Sequence, residues 1–263
     1  LCYNLGMSED EIILTHILKC RRIDLHLNKP VLTPEQQQRF DEYVARRKTG
    51  EPLQYILGVA HFYGLEFKVN PAVLVPRPET EILVEEALRR FKGKSILDIG
   101  TGSGNIAVTL AKHIPQARVT AIDISEKALV VARENAVAHG VADRVDFVRA
   151  DILQGFVPDQ AFDLVVSNPP YIPSGQIASL PADVQKEPRM ALDGGEDGLK
   201  FCQTLIKSSP PLLRKGGCLM MEFGDGQGSS LRTLCEQIQA FSPIEILCDL
   251  TGKERVLHGK IRH

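Results

Sequence analysis

The chain has 263 residues, with 31 Lys and Arg against 33 Asp and Glu, a formal charge of -2, and 43% hydrophobic residues. This composition excludes a disordered or fibrous chain and suits one large domain with a small companion. The near-neutral balance argues against a protein that grips a long phosphate backbone, because such affinity needs a surplus of Lys and Arg.

No apolar run approaches the roughly 18 residues of a membrane span. The opening Leu1-Cys2-Tyr3-Asn4-Leu5-Gly6 lacks the basic region and apolar core of a signal peptide, and lacks an initiator Met, as a truncated chain would. Ser8-Glu9-Asp10-Glu11 has capping-box spacing, with Ile12, Ile13, Ile17 and Leu18 following near helical period. A second box at Thr33-Pro34-Glu35-Gln36 starts a helix through Phe40, Tyr43 and Val44 to Gly50. Residues 1–57 carry eight basic and eight acidic side chains, so this helical unit suits docking on protein better than on nucleic acid. Val59 to Val69 alternates around Gly64 and predicts a β-hairpin linker over 58–76. Val75-Pro76-Arg77-Pro78 is an extended entry to a helix over Glu79 to Arg90.

From residue 94 strands and helices alternate. Strands are predicted at 95–99, 118–123, 145–148, 162–167 and 218–223, and helices at 104–112, from Ser125 to His139, at 197–208 and at 229–240. Apolar runs at 244–248 and 255–261 close the chain as a hairpin. The rhythm predicts an α/β fold with a parallel sheet over 77–263. Cysteines 2, 20, 202, 218, 235 and 248 form no Cys-x-x-Cys pair, so neither zinc nor a thioredoxin-like site is expected, only mostly buried free thiols of a cytoplasmic protein.

Asp98-Ile99-Gly100-Thr101-Gly102-Ser103-Gly104 joins the first of these strands to its helix. Glycines let backbone approach a ligand where a helix N-terminus offers free N–H groups. The Gly-x-Gly-x-Gly spacing differs from the dinucleotide fingerprint. It suits a cofactor without phosphates, such as S-adenosylmethionine, with Asp98 near the ligand's ammonium group. Asp123 ends the second strand, where a carboxylate accepts from ribose hydroxyls of either cofactor class. Asp151 could accept from an adenine amino group while Ile152 packs on the ring.

Ser167-Asn168-Pro169-Pro170-Tyr171 follows the fourth strand. Two prolines fix the backbone and remove two N–H donors. Asn168 adds an acceptor and Tyr171 a flat apolar face. Such a site suits a planar NH2 group, whose hydrogens the Asn168 oxygen and the Pro169 carbonyl would accept.

On these residues the chain resembles the class I S-adenosylmethionine-dependent methyltransferases. More closely, it is similar to the HemK/PrmC-type enzymes that modify the glutamine of the Gly-Gly-Gln motif in peptide chain release factors. The resemblance rests on Gly50 through Gly58, on Pro76-Arg77-Pro78-Glu79-Thr80-Glu81, on Asp98 through Gly104, on Asn168-Pro169-Pro170-Tyr171-Ile172 and on Glu254-Arg255. It implies a Rossmann-like seven-stranded sheet with an antiparallel last strand, and an N-terminal helical domain over 1–57 that holds the release factor. It implies that Gly100 to Gly104 wrap S-adenosylmethionine, or S-adenosylhomocysteine as product, with Asp123 on ribose and Asp151 and Ile152 by adenine. It places Asn168 to Tyr171 around the glutamine, with Arg77, Glu79 and Thr80 at the border. A monomer without metal, nucleic acid or membrane partner is expected. The alternative is an N6-adenine methyltransferase acting on DNA or RNA, which shares Asn-Pro-Pro-Tyr. A hydride-transferring dehydrogenase fits the glycine spacing less well.

Overall fold

A computed structural model describes residues 6–28, 30–151, 161–249 and 251–262. Both capping boxes form. Ser8 and Glu11 bond reciprocally at the start of α1 (Glu9–Leu18). A short α2 (Arg22–Asn28), unexpected from sequence, begins where Asp24 accepts from the Arg21 amide. Thr33 and Gln36 then start α3 (Pro34–Lys48). The following α4 (Leu53–Leu57) faces two ways. Leu53 packs with Ile13 and Ile17, while Tyr55 packs with Val69, Val73, Val75 and Val131 and donates its hydroxyl to the Val73 carbonyl.

The predicted hairpin is β1 (Val59–Phe62) and β2 (Leu65–Lys68), joined by Tyr63 and Gly64 at φ 49° and 75°. Positive φ at both central residues matches the twist of the flanking strands. Phe62 and Phe67 enter the main core, so the hairpin is part of the packing rather than a free tether.

The rest alternates: α5 (Thr80–Arg90), β3 (Ser95–Ile99), α6 (Asn105–His113), β4 (Arg118–Asp123), α7 (Glu126–Ala138), β5 (Val145–Arg149), β6 (Phe162–Ser167), α8 (Lys200–Ser208), β7 (Leu213–Glu222), α9 (Gly228–Ile238), β8 (Phe241–Cys248) and β9 (Glu254–Ile261). Seven strands form one sheet in the order β5-β4-β3-β6-β7-β9-β8. All neighbours are parallel except β9, which runs antiparallel to both β7 and β8. Neighbouring residues alternate between the two faces, as the pleat requires. Ile96, Leu164 and Met220 join the cluster under α5 and α6, whereas Leu97, Val165 and Met221 join the one under α8 and α9. Because β4 and β6 flank β3, the chain reverses direction across the sheet there, and a crevice opens at the carboxyl ends of these strands.

Some boundaries depart from the sequence reading. β7 begins at Leu213 rather than Cys218, because Leu213 pairs with Phe162 before a register shift. β8 begins at Phe241, which is fully buried and pairs with Ile261. α8 begins at Lys200, since Gly198 turns at φ 75° and Asp197 accepts from the Leu199 amide. Of the described thiols Cys202 and Cys235 are buried, Cys20 and Cys218 half-buried and Cys248 exposed, so burial is less general than expected. Cys248 is the last residue of β8.

One side chain joins the hairpin to the glycine loop. Asn135 of α7 is buried, accepts from the Lys68 amide at 2.8 Å, and donates to the Lys68 and Ser103 carbonyls at 3.0 and 2.8 Å. Replacing it by Ala leaves one buried and two part-buried backbone groups without their partner. Asn135→Ala should lower the unfolding free energy by roughly 2–4 kcal/mol, read from the midpoint of urea denaturation. An unchanged midpoint would show that water replaces these bonds without penalty.

Candidate active site

The glycine loop turns through three left-handed residues. Gly100, Gly102 and Gly104 have φ of 72°, 55° and 80°. Their surroundings differ. A Cβ on Gly100 or Gly102 would meet nothing within 4 Å, whereas one on Gly104 would lie 3.1 Å from the Ala132 Cβ. Gly100 and Gly102 therefore open onto a cavity, and Gly104 lets α6 approach α7. Gly100 and Thr101 donate to the Ile122 carbonyl, tying the loop to β4. The Thr101 hydroxyl donates to Asp98 Oδ2 at 2.7 Å. Asp98 is fully buried beneath the loop and does not line the cavity, so it shapes the loop from below rather than facing a ligand as expected. Burial pushes its carboxyl up to about 7, against the opposing pull of the Thr101 hydroxyl.

The cavity holds about 630 Å³, a size suited to a nucleoside ligand. Its walls include Gly100 to Ser103, Asp123, Asp151, and Asn168 to Pro170. Asp123 spans two elements. Its Oδ2 accepts from the Gly102 amide at 2.9 Å and its Oδ1 from the Ser125 amide at 2.8 Å. Each oxygen keeps a lone pair for a further donor. Burial raises this carboxyl while the backbone amides lower it. Asp151 lines the cavity as expected, and Ile152 lies outside the described residues.

A smaller cavity of about 180 Å³ shares Leu74, Arg77, Asn168 and Pro169 with the first and adds Tyr171, Ile172 and Val184. The Asn-Pro-Pro-Tyr segment thus stands between two spaces. It is held from several sides. The Ser167 hydroxyl donates to the Ile99 carbonyl at 2.7 Å, and Gln227 donates to the Tyr171 carbonyl at 3.0 Å. A Cβ on Gly194 would lie 2.8 Å from the Tyr171 Cα, so only glycine permits this approach.

Asn168 Nδ2 donates to the Thr80 hydroxyl at 2.9 Å, and Thr80 donates to Glu222 Oε2 at 2.6 Å. The Tyr171 hydroxyl donates to Glu222 Oε1 at 3.1 Å. Burial pushes Glu222 up to about 7, with the Thr80 and Tyr171 hydrogen bonds drawing it back. Burial and the adjacent Glu222 push the Tyr171 phenol far up. Arg77 bonds Glu187 Oε1 at 2.5 Å, while Glu187 Oε2 accepts from the Val75 amide at 3.0 Å. Burial raises the Glu187 carboxyl and Arg77 opposes this. Arg77 and Thr80 therefore border the cavities as expected, each tied to a carboxylate that sequence reasoning missed. Glu222 left one signal: it is the lone acid closing the apolar strand Cys218 to Phe223. Glu187 and Asn135 left none.

Residues 8–58 match the PrmC N-terminal domain, and residues 78–183 match the methyltransferase small domain. The chain is 45% identical to the release factor glutamine methyltransferase of Moorella thermoacetica over 85% of this chain and 80% of that protein. It is 44% identical to the protein of the same name from Geobacter sulfurreducens over 96% of this chain and 89% of that one. A methyltransferase structure from Pyrococcus furiosus shares the fold, with a TM-score of 0.57 at 20% identity over 87% of this chain and 98% of that one. With this glycine loop, this sheet and these relatives, the chain belongs to the release factor glutamine methyltransferase family.

Proposed function

We propose that the chain transfers the methyl group of S-adenosylmethionine to the side-chain amide nitrogen of the glutamine in the Gly-Gly-Gln motif of peptide chain release factors, acting in the cytoplasm as a monomer. The observation that carries this reading is the meeting of two cavities at Asn168 and Pro169. The larger suits the cofactor and the smaller a glutamine side chain.

The residues present fit S-adenosylmethionine. Gly100 and Gly102 leave room for its amino-acid end, since a Cβ there would meet nothing else. Asp123 keeps lone pairs for ribose hydroxyls, and Asp151 stands at the wall for an adenine amine. The cofactor, when bound, supplies a methyl group already activated by a positively charged sulfur. The chain's own task is then alignment and electrostatics. Asn168 Oδ1 and the Pro169 carbonyl accept the two hydrogens of the glutamine NH2, which raises electron density on nitrogen and favours pyramidal geometry. Pro169 and Pro170 bring no N–H to compete. Tyr171 closes the smaller space with its ring, its hydroxyl being engaged by Glu222. We assign the N-terminal helices to holding the release factor. Their charge balance supports a protein partner, and Arg47 links them to the substrate side through Glu9 and Asp183.

Three outcomes test this reading. With labelled methyl donor, the chain should label a whole release factor and leave DNA and RNA unlabelled; label on adenine instead would replace the proposed substrate. Gly102→Val should abolish most cofactor binding by calorimetry while the protein stays folded, because the side chain enters open space at a modest backbone cost of about 1–3 kcal/mol. Undiminished binding in a folded variant would remove the loop from the cofactor site. Asn168→Ala should slow methylation roughly a hundredfold with little change in cofactor affinity, the usual loss for an interaction aimed at the reacting group. A normal rate would remove Asn168 from the mechanism.

A further inference from the structure

We infer that Glu222 is a positioning residue for methyl transfer: through Thr80 it decides which end of the Asn168 side chain faces the cavity. This rests on reading Asn168 as the acceptor for the substrate amide. Ser167 pairs with Met221 across β6 and β7, so Asn168 follows β6 at the level of Glu222, the last residue of β7. Glu222 is fully buried and Thr80 is 1% exposed, so water does not enter their exchange.

The donor and acceptor inventory then has one solution. An ionised carboxylate offers only lone pairs. It takes the single hydroxyl hydrogen of Thr80 on Oε2, and that of Tyr171 on Oε1. Thr80 Oγ1 is left with lone pairs alone and takes a hydrogen from Asn168 Nδ2. Asn168 must therefore turn Oδ1 away from Thr80, toward the space where the substrate nitrogen brings hydrogens. A neutral Glu222 allows the reverse. With its hydrogen on Oε2 it donates to Thr80, the Thr80 hydroxyl donates to Asn168 Oδ1, and the amide presents NH2 to the substrate NH2, donor against donor; only the ionised carboxylate restricts the line to the productive order.

Several groups face Glu222. Glu79, just before α5, opposes its charge, and Arg255 of β9 supports it. Tyr171 and Cys202 of α8 are both pushed up by burial, Cys202 to about 12, so neither titrates near neutrality. Asp98 is pushed into the same range as Glu222, so the informative quantity is the difference between two pH profiles.

The experiment compares kcat against pH for the whole protein and its Glu222→Gln variant on a release factor at saturating cofactor. Gln keeps the shape and allows both polarities of the chain. The rate falls with the fraction of molecules left in the productive orientation, so kcat should drop about tenfold above neutral pH, with affinity for S-adenosylhomocysteine unchanged. Wild-type kcat should fall as pH drops through about 7, and the variant should lose that part of the limb. Thr80→Ser should keep the wild-type profile, and Thr80→Val should behave like Glu222→Gln, which also covers a Glu222→Gln protein that fails to fold. Wild-type kcat and an identical acid limb in Glu222→Gln, or in Thr80→Val, would overturn the inference. Asn168→Ala in the same assay keeps the two claims separate: if it retains full rate, the reading of Asn168 fails instead.

Discussion

A buried carboxylate gives the site its polarity. Glu222 accepts hydrogen bonds from Thr80 and Tyr171, and Thr80 in turn accepts from Asn168. The order of donors along this line fixes what the cavity is offered, because each hydroxyl has one hydrogen to give. Burying a charge is costly unless it is hydrogen-bonded, and here two hydroxyls meet that need. Those same bonds hold the first turn of α5 and the Asn-Pro-Pro-Tyr segment in register with the end of β7.

The remaining architecture brings these groups together. Parallel β3, β4 and β6 end on one edge of the sheet, and each contributes a part: the glycine loop, Asp123 and Asn168. Cross-links then limit their freedom. Asp123 ties the loop to the start of α7, and Asn135 ties it to the hairpin. Glu187 ties Arg77 and Val75 to the segment that follows Asn-Pro-Pro-Tyr. A site whose chemistry is mostly alignment depends on such preorganisation.

Much of this was legible in the sequence where the signal is local. Capping boxes at Ser8 and Thr33, alternating strands, and the glycine loop each encode their structure within a few residues, and each formed. Family resemblance supplied the substrate and the antiparallel run of the last strand in the main sheet. What stayed hidden depends on partners far along the chain. Thr80 and Glu222 are 142 residues apart, and Asn135 meets Lys68 across 67. Asp98 and Gly104 read as ligand contacts because both lie in the loop. Packing instead places one beneath the loop and the other against Ala132. The double allegiance of α4 was equally invisible, since Leu53 and Tyr55 are both plain apolar positions until their neighbours are known.

The orientation of the Asn168 amide is reported directly by deuterium positions. Neutron diffraction from crystals of the protein with S-adenosylhomocysteine and a glutamine-containing release-factor peptide, grown above neutral pH, would locate the deuterons of Asn168. Both should lie on the nitrogen that faces Thr80, with Oδ1 turned to the glutamine amide. Deuterons on the atom facing the glutamine would contradict it.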